Sequence, residues 1–80
     1  MALWRIPRAI SETGRSRSAL YSDIGLGLMV SPIKIGPRAS ALPEAEVKAV
    51  IAARIAGKSE AEIRGLVTRL QAARQQGVPA

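Results

Sequence analysis

Apolar residues along the 80-residue chain recur with two different periods, and the change of period divides it. Ile6, Ala9 and Ile10 share one side of a helix over Pro7–Thr13, with proline in the first turn, where its missing N–H costs nothing. Gly14 is the residue type that most readily takes the left-handed backbone of a helix C-cap. Ser16 is a candidate N-cap for a second helix, Arg17–Ile24, closed by Gly25. At 100° per residue, Leu20 and Ile24 share its inner side, while Ser18, Ala19 and Ser22 point away. From Leu26 to Leu42 helix-breaking residues interrupt β-favouring ones, which predicts strands over Ile33–Ile35 and Ala39–Ala41 with Gly36-Pro37-Arg38 at the tip. Pro43, Glu44 and Glu46 open a third helix that carries Val47, Val50, Ile51 and Ile55 on one side and ends at Gly57. Ser59 and Glu62 form a capping box ahead of the stripe Ile63, Leu66, Val67 and Leu70, with Gly77 and Pro79 as the stop.

A helix, a glycine turn, a short helix with a polar outer face and a basic hairpin is the layout of a winged helix-turn-helix. The expected fold is therefore mainly α, with a short β-hairpin wing and an extra C-terminal helix. Residues 1–57 would form the DNA-binding unit. Residues 58–80 would form an amphipathic helix for oligomerisation or partner contact.

Charge sharpens this. Twelve Lys+Arg oppose six Asp+Glu, for a net charge of +6, and hydrophobic residues make up 48%. The chain can thus bury a core and present a cationic surface to an anionic partner. Residues 1–38 hold six basic and two acidic groups, so four of the six net charges fall there. Trp4 and Tyr21 are the only aromatics; a core this small needs Trp4. The chain has no His and no Cys, which excludes Ser-His triads, cysteine nucleophiles, disulfides and zinc sites built on these residues. The six carboxylates are scattered, so neither enzymatic chemistry nor a cofactor is expected. The longest apolar run, Ile24–Val30, holds two glycines and falls far short of the ~20 residues that span a bilayer. With no apolar signal core at the N-terminus, a soluble intracellular protein without membrane contact is expected.

The nucleic-acid candidates follow from placement. Arg15, Ser16, Arg17, Ser18, Tyr21 and Ser22 lie at or on the second helix, whose first turn would enter the major groove. Lys34 and Arg38 would hold phosphates from the wing. Tyr21 lies near the inner side, so a core ring with an outward hydroxyl and a direct contact are both open. Leu26, Leu28, Met29 and Val30 either fill the core or form an exposed patch for another protein. Ile63, Leu66, Val67 and Leu70 pack on their own domain or on a second copy.

Four blocks, in order, are Ile6-Pro7, Thr13-Gly14-Arg15-Ser16-Arg17-Ser18-Ala19-Leu20-Tyr21, Pro32-Ile33-Lys34-Ile35-Gly36-Pro37-Arg38 and Glu44-Ala45-Glu46-Val47. Over roughly residues 3–57 they resemble the AlpA family of prophage regulators, small MerR-like winged-helix proteins related to phage excisionases. The sequence departs from the family at Leu42, where a tryptophan is usual, in the apolar loop 26–30, and in the added last helix. The resemblance implies a sequence-specific, double-stranded-DNA-binding positive regulator of prophage or mobile-element genes, working in the bacterial cytoplasm at the nucleoid. It would act with RNA polymerase, either at a promoter or by terminator read-through (antitermination), as more than one copy. An excisionase-like DNA-bending factor and an interaction adaptor that uses the last helix are the alternatives.

Overall fold

The computed structural model describes residues 2–76. In chain order the elements are β1 (Leu3–Arg5), α1 (Ile6–Thr13), α2 (Arg17–Gly25), β2 (Ile33–Gly36), β3 (Ala39–Pro43), α3 (Glu44–Ile55) and α4 (Glu60–Gln76). Four helices thus accompany a three-stranded antiparallel sheet of order β1-β3-β2, with α1 and α3 packed against it. The sequence predicts the β2–β3 hairpin but not β1. This three-residue strand pairs Leu3 with Pro43, Trp4 with Leu42 and Arg5 with Ala41. Burial alternates along it, with Trp4 inward and Leu3 and Arg5 outward. The indole lies in the core, with the Arg8 guanidinium 5.2 Å and the Lys48 ammonium 5.9 Å from its ring centroid.

The hairpin tip is two residues, Pro37 and Arg38, and β3 runs on to Pro43. Pro43 therefore stands at the N-cap of α3 rather than inside its first turn. The pairing shifts between Lys34 and Gly36, a bulge beside which Ile35 is exposed. Ahead of α4 the capping box is formed. The Ser59 N–H donates to Glu62 Oε1 at 3.1 Å, and the Glu62 N–H donates to Ser59 Oγ at 3.2 Å. The predicted stop at Gly77 and Pro79 lies outside the described residues.

One core, aliphatic apart from Trp4, draws on every element except β2. Trp4, Ile6, Ala9 and Leu20 meet Leu42, Val47 and Val50, and Ile63 and Val67 of α4 complete the cluster. The stripe on α4 packs on its own domain, with Leu66 and Leu70 partly buried at the margin. Ile63 and Val67 thus share a core with residues of the first 57 positions. Leu28, Met29 and Val30 are buried as well, and only Leu26 of that loop stays exposed. These three cannot form the surface patch that was one of the two expectations for the loop. A buried loop must satisfy its backbone. Here α4 holds the two ends: Arg64 Nε donates to the Leu26 carbonyl at 2.9 Å, and Gln71 Oε1 accepts from the Ser31 N–H at 2.7 Å. Arg74 Nη2 donates to the Ser31 carbonyl at 2.9 Å, while its Nε donates to both Glu46 carboxylate oxygens at 3.0 Å.

Candidate nucleic-acid interface

Three separate segments converge on an open cleft of about 320 Å³. Arg5, Ile6 and Pro7 come from the β1–α1 junction, Arg17 and Tyr21 from α2, and Arg38 and Ser40 from the hairpin. Local chemistry sets the α2 wall. Gly14, at φ 71°, turns the chain out of α1 and donates its N–H to the Ile10 carbonyl at 3.0 Å. Ser16 then caps α2, its hydroxyl accepting from the Ala19 N–H at 3.1 Å. No acidic residue occupies the first turn of α2, so its partial positive charge is not offset there.

The ion pairs decide which cations are free. Each of the six carboxylates has a basic partner within 4 Å: Glu12 with Arg8, Glu44 with Lys48, Glu62 with Lys58, Glu60 with Arg64, Glu46 with Arg74, and Asp23 with both Arg15 and Arg54. Among the described residues this leaves Arg5, Arg17, Lys34, Arg38 and Arg69 without an acidic neighbour at that distance. Three of these five line the one cleft. An uncompensated trio of guanidiniums beside a helix N-terminus is chemistry suited to phosphate.

Arg15 lies apart from that cleft. Its Nε and Nη2 donate to Asp23 Oδ2 and Oδ1 at 3.0 and 3.1 Å, and Arg54 Nη2 stands 3.6 Å from the same carboxylate. Arg15, Asp23 and Arg54 border a different hollow with Met29 and Ile55. The bidentate grip ties the turn before α2 to the far end of that helix, and Arg54 ties both to α3. Ser16 is exposed and serves as the cap; Ser18 and Ser22 are exposed on α2 but do not line the cleft. Lys34 is exposed on β2, opposite Ser40 in the pairing, and also stands outside the cleft lining. Tyr21 is 46% exposed, a wall of the cleft rather than a core ring.

Arg5 and Ser40 were not among the sequence candidates. Arg5 joins the cleft only because β1 pairs with β3, a contact between residues nearly forty positions apart. No helix among the described residues is long and apolar enough to cross a membrane. No family model, no curated protein and no solved structure matches the chain.

Proposed function

We propose that the chain is a sequence-specific DNA-binding regulator of transcription, built as a winged helix-turn-helix. In this reading α1 and α2 are the helix pair, joined by Gly14-Arg15-Ser16, and the β2–β3 hairpin is the wing. The observation that carries it is the convergence of Arg5, Arg17 and Arg38, none of them paired with a carboxylate, on the cleft between the start of α2 and the hairpin tip. The first turn of α2 enters the major groove, where Arg17 reaches a base edge or a flanking phosphate. Arg38 and Arg5 hold the adjoining backbone, and Lys34 adds a cation on the same hairpin.

Binding to a labelled duplex, titrated against salt, tests this. Neutralising three phosphates gives a log–log slope near −3, and removing Arg5 or Arg38 lowers its magnitude by about 1. Arg17→Ala weakens the specific site by about 1–3 kcal/mol if the contact is to a base. Binding that ignores salt, or a footprint unchanged by Arg17→Ala, overturns the assignment. The regulatory step is a positive one made with RNA polymerase. In vitro transcription with the site upstream of a terminator, scored separately for initiation and read-through, identifies it. Bent DNA with no effect on either score instead identifies an excisionase-like factor.

A further inference from the structure

We propose that the groove between α3 and α4 docks an acidic amphipathic helix of a partner protein. This groove, of about 410 Å³, shares no lining residue with the cationic cleft. Its apolar floor is Ala53 of α3 with Ala61, Gly65 and Leu66 of α4. Lys58, Glu62 and Arg69 form the rim.

Two observations point to an occupant. The first is Gly65. A glycine inside a helix weakens it relative to alanine. Nothing among the described residues requires one here: within 4 Å, a Cβ at this position would meet only the Arg69 Nη1, at an ordinary 3.7 Å. What a missing side chain provides at the floor of a groove is close approach by another surface.

The second is charge. Arg69 has no acidic neighbour within 4 Å among the described residues. Lys58 reaches Glu62 only at 3.9 Å, and both of those side chains are more than half exposed. The rim therefore offers two cations against one carboxylate, which also accepts the Ser59 N–H at 3.1 Å, above Ala53, Ala61, Gly65 and Leu66. A helix with an apolar stripe fills such a groove, and carboxylates flanking the stripe meet Lys58 and Arg69. A second copy of this chain is the wrong occupant. It brings a net charge of +6 to a rim that already holds two cations.

The test titrates the ¹⁵N-labelled full chain with a synthetic helix of about four turns, bearing a leucine stripe flanked by glutamates. Its control has every glutamate replaced by lysine. Amide shifts are expected at 53, 58, 61, 65, 66 and 69, with the control binding at least about tenfold more weakly. Arg69→Glu lowers affinity for the acidic peptide by about tenfold or more, and Gly65→Leu abolishes binding by filling the floor while the far-UV spectrum stays helical. Shifts confined to the Arg5–Arg17–Arg38 cleft would show general charge attraction and overturn the proposal. So would a silent groove, a DNA duplex that shifts the groove amides, or a concentration-dependent dimer that Gly65→Leu disperses.

Discussion

Replacing Asp23 with alanine separates the residues that build the cationic face from those that use it. The Asp23 side chain is 5% exposed and accepts two hydrogen bonds from Arg15, with Arg54 as a second, longer partner. Breaking a fully buried pair costs about 3–5 kcal/mol, because one charge is left stranded. Here Asp23→Ala leaves two arginines whose side chains are 45% and 39% exposed, so water can solvate both. The loss is then nearer that of the charge-assisted hydrogen bonds, discounted for exposure, at about 2 kcal/mol. For a domain of this size that lowers Tm by about 8–16 °C. Urea unfolding followed by the emission of Trp4, the only tryptophan and a core residue, measures it directly. Arg15→Ala leaves the buried carboxylate with only the longer Arg54 contact and costs a similar amount, so a double-mutant cycle should return a coupling of about 1–2 kcal/mol. Arg17→Ala, by contrast, should stay within about 0.5 kcal/mol of the parent, as an unpaired surface substitution does. An Asp23→Ala protein inside that same margin would refute the claim that this carboxylate holds α2 in place.

Ile63→Ala should cost about 2–5 kcal/mol in the same unfolding experiment, since its side chain is buried in the shared core; no change would mean that α4 is detachable. Gly14→Ala should cost about 1–2 kcal/mol from its backbone alone, because φ is 71° and no atom lies within 4 Å of the added Cβ. The Ser59 N–H, then the Ser59 hydroxyl, hold Glu62 below the ordinary carboxyl value of 4.5. A depressed folded-state value means that its contribution is complete above about 4.5 and fades as pH falls through the lower value. The helicity of α4, followed by amide shifts during acid titration, should lose that component in Glu62→Gln, and superimposable profiles would contradict it.

Local signals made most of the fold readable. The Ser59–Glu62 box, the glycine after α1 and the apolar stripes of α3 and α4 each act within a few residues, where sequence rules operate. What escaped depends on distant partners. A strand of three residues carries no usable period, so β1 and with it Arg5 became visible only through pairing with β3. Arg15 and Arg17 look equivalent in sequence, both at the start of a helix. Asp23, eight residues beyond Arg15, selects one of them across the turn, a spacing that no helical pairing rule covers. The apolar loop was ambiguous for a similar reason. Its apolar side chains join a core that includes Ile63 and Val67, and its two ends are held by Arg64, Gln71 and Arg74, about forty residues further along the chain.

The central position of β3 has a kinetic consequence. One of its edges is closed by β2 through a two-residue turn, a contact that forms within microseconds. The other edge waits for a segment on the far side of a long loop, whose closure entropy must be met before any pairing energy returns. The β1–β3 pairing thus carries a larger closure entropy than the hairpin does. Arg38 sits on a hairpin closed by its own two-residue turn, whereas the strand that carries Arg5 is held by partners nearly forty residues away.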